Sequence, residues 1–209
     1  MENNNKYTKY LAIFALLVSV VGLSLGFAAF STTVSIQAGA VYSSTQASEN
    51  YRGGVLSTVS NTVSEGNVTA TTEGGATADT ATLTEDTISN IVAHFTASGQ
   101  SVEYSFYGFN DSEFPSYLNS VVFGTKSCTA GTGATDSYVQ AACNDINMYI
   151  TAGDEEFTET ETNVVNHPVD SKQSEVIKVT IEYINGGATA DGDFTVDFGT
   201  TVLTYSTVD

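Results

Sequence analysis

The hydrophobic pattern is that of strands. Ile177, Val179, Ile181 and Tyr183 alternate with Lys178, Thr180 and Glu182, the period of two that marks a strand with one buried and one wet face. Asn185-Gly186-Gly187 follows; these residues tolerate positive φ and predict a turn. Phe194, Val196 and Phe198 alternate with Thr195 and Asp197, Gly199 breaks the run, and residues 202–205 resume it. Earlier, Val102, Tyr104 and Phe106 alternate with Glu103 and Ser105, and short apolar runs at 121–123 and 148–150 are bounded by Gly124 and Gly153. Weaker strand candidates lie at 34–36, 59–64 and 68–70. Phe114, Tyr117 and Leu118 stand at helical spacing and predict one helical turn within 112–120, with Pro115 suited to its start. Strand runs separated by turn signals predict an all-β fold, a β-sandwich of jelly-roll type.

The N-terminus breaks this pattern. Lys6 and Lys9 precede an uncharged run from 10 to 30. As a helix it would span about 30 Å, enough for a bilayer core. The basic flank stays inside, so everything after Phe30 is expected outside. Gly26 and Ala28 fit the small-x-small signal of a cleavage site between Ala28 and Ala29. Two readings stay open: residues 1–28 are a cleaved signal peptide, or the segment is retained as a signal-anchor helix. Residues 29–38 then form an extended N-terminal strand, and 39–209 the β-sandwich domain. The stretch 64–86 is polar and Thr/Gly-rich, a long hairpin or an insertion. Gly74-Gly-Ala-Thr-Ala-Asp79 recurs as Gly186-Gly-Ala-Thr-Ala-Asp191; without matching flanks this is a pair of similar loops, not a duplicated domain.

Composition narrows the function. The chain has 24 Asp+Glu against 6 Lys+Arg, a net charge of −18, and no Trp. Such a balance excludes a nucleic-acid binder that works by neutralising phosphates and argues against docking on anionic headgroups. Thr and Ser number 30 and 22 of 209 residues, a hydroxyl content that suits the wet faces of strands. Removal of residues 1–28 takes Glu2, Lys6 and Lys9 and leaves 23 acids against 4 bases, a net of −19. The exported part is therefore more acidic than the whole.

Leu25-Gly-Phe-Ala-Ala-Phe-Ser31 and Phe95-Thr-Ala-Ser-Gly-Gln-Ser-Val-Glu-Tyr-Ser-Phe106, followed by Asn110-Asp-Ser112, carry a resemblance. The first is similar to the signal-peptide junction of the TasA/camelysin family of secreted bacterial matrix-fibre proteins, and the second to that family's turn, aromatic strand and turn. Here Ala97-Ser98-Gly99 stands for the usual Pro-Gly, and Asn110-Asp111-Ser112 lacks the Gly. The resemblance covers about the first 125 residues and leaves the cysteine region unmatched. It implies a secreted jelly-roll sandwich in the extracellular matrix or on the cell surface of a bacterium. It also implies a homopolymer built by donor-strand exchange, with the mature N-terminal segment completing the next subunit's sheet. The residues supply a basis for that. In 29–38, Phe30, Thr32, Val34 and Ile36 fall on one face, and Ser31, Thr33, Ser35 and Gln37 on the other, so the segment is a strand that an open sheet edge would template. The bland counterpart is that this strand pairs within its own subunit.

Candidate chemistry is sparse. Cys128 and Cys143 are the only cysteines, and in an exported protein a lone pair is read as a disulfide. His94 and His167, the latter expected in a loop before Pro168, are the only histidines, and no His-Glu-x-x-His is present. A camelysin-like metalloprotease therefore has no zinc motif to use. No Gly-x-Ser-x-Gly occurs beyond the apolar N-terminal run, whose Gly22-Leu-Ser-Leu-Gly26 belongs to the signal segment. No catalytic residues and no cofactor are expected. Asp154, Glu155 and Glu156, in a run that extends to Glu161, and the pair Asp191 and Asp193 offer hard oxygen ligands for calcium, without EF-hand spacing. Two functions stay open: a fibre subunit whose partner is itself, with matrix or cell-surface components as further partners, and a membrane-anchored monomeric binding or adhesion module. Contact with the membrane is expected only through the N-terminal segment.

Overall fold

The computed structural model describes residues 32–39, 54–64, 66–84, 86–159 and 167–206, with the backbone alone described for 32–39, Gly54 and Ser206. The signal segment, the Ala28/Ala29 cleavage position, Phe30 and Glu161 lie outside the described residues. Among the described residues the chain forms fifteen strands and one short helix. These are β1 (Thr32–Gly39), β2 (Gly54–Ser57), β3 (Gly66–Asn67), β4 (Thr69–Glu73), β5 (Thr77–Ala78), β6 (Thr82–Leu83), β7 (Thr87–Phe95) and β8 (Gln100–Asn110). There follow β9 (Ser116–Val122), β10 (Ser127–Ala130), α1 (Asp136–Asn144), β11 (Ile146–Ala152), β12 (Glu155–Phe157), β13 (His167–Val169), β14 (Ser174–Tyr183) and β15 (Phe194–Ser206). The protein is all-β and sandwich-like.

The strands make two sheets. The larger runs β13-β9-β15-β1-β7-β6-β3, with β10 also on β15 and β5 also on β7; the smaller runs β12-β11-β14-β8-β2, with β4 also on β8. Every pairing is antiparallel except β1 with β15, which is parallel.

The alternation that marked β14 and β8 has a plain cause. The two strands pair over ten residues, placing Ile177 opposite Phe106, Val179 opposite Tyr104 and Ile181 opposite Val102. All six side chains are buried in the common core, where each is worth about 1.5–3 kcal/mol for leaving water. The wet face carries a diagonal pair, Lys178 Nζ to Glu103 Oε1 at 3.1 Å. Phe95, Ile91, Phe194 and Val196 of the larger sheet join the same core.

A polar group of β8 crosses that core. The Tyr104 hydroxyl, on β8, accepts from the Val92 N–H of β7 at 3.1 Å and has the Val92 and Asp79 carbonyls at 2.5 and 3.0 Å as acceptors for its proton. Burial, opposed by the Val92 hydrogen bond, pushes its pKa above the ordinary tyrosine value.

Four expectations need correction. Residues 112–120 form no helical turn: Asn110 Oδ1 accepts from the Ser112 N–H at 3.0 Å and from its hydroxyl at 2.7 Å, fixing a side-chain turn. Phe114 is left 50% exposed, and from Ser116 the chain pairs with β13 and β15. His167 stands in a strand, β13, not in a loop; Pro168 is tolerated there because β13 lies at the sheet's edge. Candidate strand 59–64 narrows to one bridge, Val59 with Thr62, around Asn61 at φ 58°. The stretch 64–86 is neither one hairpin nor a loose insertion: β3 and β6 pair in the larger sheet while β4 joins the smaller.

The cysteine region holds α1. Cys128 on β10 and Cys143 on α1 form the disulfide, closing a separation of 15 residues, worth about 3 kcal/mol by loop closure. Val139, Ala142 and Cys143 are the helix's buried face.

Replacing Tyr104 by Phe keeps the ring packing and strands the Val92 N–H. The variant is expected to unfold at lower urea with an unchanged slope, a loss of about 1–3 kcal/mol.

Candidate functional site

The first site is the place of β1. It lies between β15 and β7, so both of its edges are bonded. Thr32 is in register with Phe194 and Phe95, Val34 with Val196 and Ala93, and Ile36 with Ile91. Those wall residues are buried. The donor-strand candidates Thr32, Val34 and Ile36 are therefore in register with inward-facing positions on the walls. The observed strand ends at Gly39, one residue beyond the expected segment.

Both walls carry an irregularity at one level. The β1–β15 register shifts between Ser35 and Gln37, beside Gly199 at φ 65°. The β1–β7 register shifts between Ile36 and Ala38, beside Asn90 at φ 58°. Glycine takes this left-handed conformation without cost, and Asn is among the few others that tolerate it. Paired bulges also bend both walls together. Gly199 thus does more than interrupt an alternation: β15 runs through it from Phe194 to Ser206.

The second site is a buried polar cluster joining the sheets. Glu175, on β14 of the smaller sheet, has a side chain only 8% exposed. Its Oε2 lies 2.6 Å from His167 Nε2, and its Oε1 accepts from the Tyr205 hydroxyl. Those two partners belong to β13 and β15 of the larger sheet. The His167 ring lies over Gly153, where a Cβ would come within 2.7 Å of Cε1. Glu155 adds like charge from β12. Burial holds the Glu175 carboxyl above the ordinary range, against the lowering effect of Tyr205 and His167. Ser116 Oγ, buried and without a hydrogen bond among the described residues, stands in the same cluster. The cavity here measures about 10 Å³, the size of one water molecule. The cluster ties sheet to sheet. Sequence reasoning missed it because its three members sit on three strands.

The remaining candidates are dispersed. Glu155 and Glu156 are successive strand residues on β12, so their side chains point to opposite faces. Asp154 sits in the preceding turn. Asp191 is already engaged at the start of α1, where its Oδ1 accepts from the Thr135 N–H at 2.7 Å and its Oδ2 from the Thr135 hydroxyl at 2.5 Å. Those bonds lower its pKa. The Asp193 carbonyl accepts from Gly131 N–H at 2.7 Å. Among the described residues no three His, Cys, Asp or Glu side chains gather into a metal site. His94, on β7, is occupied separately from His167: its Nε2 lies 2.9 Å from Asp79 Oδ1.

Glu175 binds its proton more tightly in the folded state than in the unfolded one. Its contribution to stability is therefore complete below the ordinary glutamate value of 4.5 and declines as pH rises through the raised one. Glu175→Gln removes that decline. Urea midpoints measured from acid to neutral pH are expected to move in the variant's favour, relative to wild type, as pH rises.

No protein-family model matches the chain, and no curated protein matches it, so its function is read from the β1 slot.

Proposed function

We propose that the chain is a secreted structural protein, the subunit of a bacterial surface or biofilm-matrix fibre. In this reading the sandwich is of jelly-roll type, the mature N-terminus is Ala29, and β1 of one subunit fills the slot of the next. One observation carries it: a central strand of the larger sheet is supplied by a segment near the N-terminus, in parallel with the C-terminal strand. Exchange of that strand makes no new kind of contact, because the same residues enter the same slot. Head-to-tail repetition is heterologous and open-ended, so it yields a filament.

The tether is long enough. Fourteen residues, 40–53, separate β1 from β2. Extended, they reach up to about 46 Å, against a diameter of about 40 Å for a compact domain of this size. The opposing force is charge: subunits of net −19 repel, and salt screens that repulsion.

A second reading is a membrane-anchored monomer that retains its N-terminal helix and binds a surface component. The observation in its favour is that β1 fills the slot of its own chain.

Paired cysteines separate the two. Thr33 and Thr195 are in register across β1 and β15. Purified residues 29–209 carrying Thr33→Cys and Thr195→Cys are expected to form filaments by electron microscopy, faster at higher ionic strength. A non-reducing gel should show a ladder of covalent oligomers. A closed, cross-linked monomer that never polymerises would favour the anchored module.

A further inference from the structure

Asn67-Val68-Thr69 and Asn110-Asp111-Ser112 both have the Asn-x-Ser/Thr spacing of an N-glycan acceptor. The fold treats them oppositely. Asn110 is 2% exposed. Its amide donates to the carbonyls of Phe114 and Val169 at 2.8 and 2.9 Å, with that of Asp170 at 3.2 Å. No sugar fits there without dismantling the turn. At the other site Val68 is buried, while Asn67 and Thr69 are both exposed. In extended chain, residues two apart point the same way. The acceptor amide and the hydroxyl two residues on are thus presented together, with Val68 as the anchor beneath them.

The position adds a second argument. The chain passes here from β3, the last strand of the larger sheet's path, to β4, which is bonded to β8 alone among the described residues. All five residues of β4 are exposed. An edge of unpaired backbone invites uncontrolled pairing with other chains, and proteins cover or blunt such edges. A bulky hydrophilic group at Asn67 stands two residues from that edge. Glu65 precedes the site by two residues, where the Asn110 motif has Gly108, so an acidic handle accompanies only the exposed motif.

We propose that Asn67 is an N-glycosylation site, modified on the exported domain, and that its glycan shields the β4 edge. The donor is a lipid-linked oligosaccharide pyrophosphate. Asn67 Nδ2 forms a bond to the anomeric carbon of the sugar, the bond from that carbon to the pyrophosphate oxygen breaks, and the amide loses one proton as the lipid pyrophosphate leaves. The proposal requires export and does not depend on polymerisation.

The test is intact-mass measurement and peptide mapping of the full protein recovered from the cells that naturally export it. The expected result is one glycan, on Asn67, and none on Asn110. Thr69→Ala should abolish it and Thr69→Ser should keep it; Thr69 is exposed, so neither variant disturbs the core. Unmodified Asn67 in the exported protein would overturn the proposal. So would a glycan on Asn110, or one on Asn67 that survives Thr69→Ala.

Discussion

Everything in the larger sheet depends on backbone hydrogen bonding to a single strand. Among the described residues, the order β13-β9-β15 meets the order β7-β6-β3 only through β1. Without β1, two walls face each other with unpaired N–H and C=O groups along strands whose inward side chains, Ile91, Ala93, Phe95, Phe194 and Val196, are core. Buried backbone groups must be paired, and each that is not costs about 1–3 kcal/mol. The requirement is for a strand, and it is indifferent to which chain supplies the strand. That indifference lets one architecture serve either as a closed monomer or as a link in a polymer.

A slot that exchanges its strand needs walls that hold their places. The smaller sheet supplies the frame. Its two long strands, β8 and β14, pair over ten residues, and each reaches across to one wall. From β8 the Tyr104 hydroxyl bonds the Val92 backbone of β7. From β14 the Glu175 carboxylate bonds Tyr205 of β15. On the outer side of β15, β10 pairs with residues 194–197 and is fixed to α1 by the disulfide. These ties are polar or covalent, so they fix geometry more sharply than apolar packing does. Two of the polar groups are buried tyrosine hydroxyls, Tyr104 and Tyr205.

What the sequence made legible follows from the range of each interaction. The alternation in β8 and β14 is local and each strand has one wet face, so period two is visible and the register later agrees with it. Cys128 and Cys143 were readable because only one pairing exists. The alternation of residues 30–37 was equally visible, but its partners were not: a parallel pairing with β15, some 160 residues away, leaves no local trace. The three-strand cluster of His167, Glu175 and Tyr205 was hidden for the same reason. Helix α1 was missed although Thr135-Asp136 marks a helix start and Val139, Ala142 and Cys143 share a face, because the run 129–135 before it is made only of Gly, Thr and Ala and carries no helical period. The opposite error came at 112–120, where helical spacing lost to the Asn110 side chain, a turn former acting from just before the segment.

In the proposed fibre, charge favours a donated strand over a face-to-face contact. Among the described residues, the three lysines are all engaged within the subunit. Lys126 donates to the Ile146 carbonyl and lies over the Phe198 ring. Lys172 pairs with Asp111 and Glu113, and Lys178 with Glu103. An interface built from surface side chains would therefore bring acids against acids. The strand Thr32–Gly39 contains no charged residue, and its attachment rests on backbone hydrogen bonds and on apolar positions in register with buried walls. Those forces do not depend on the sign of the surface. In the proposed fibre, subunits of net charge −19 would stay apart except along that strand, and the repulsion would favour an extended chain of subunits over a compact aggregate.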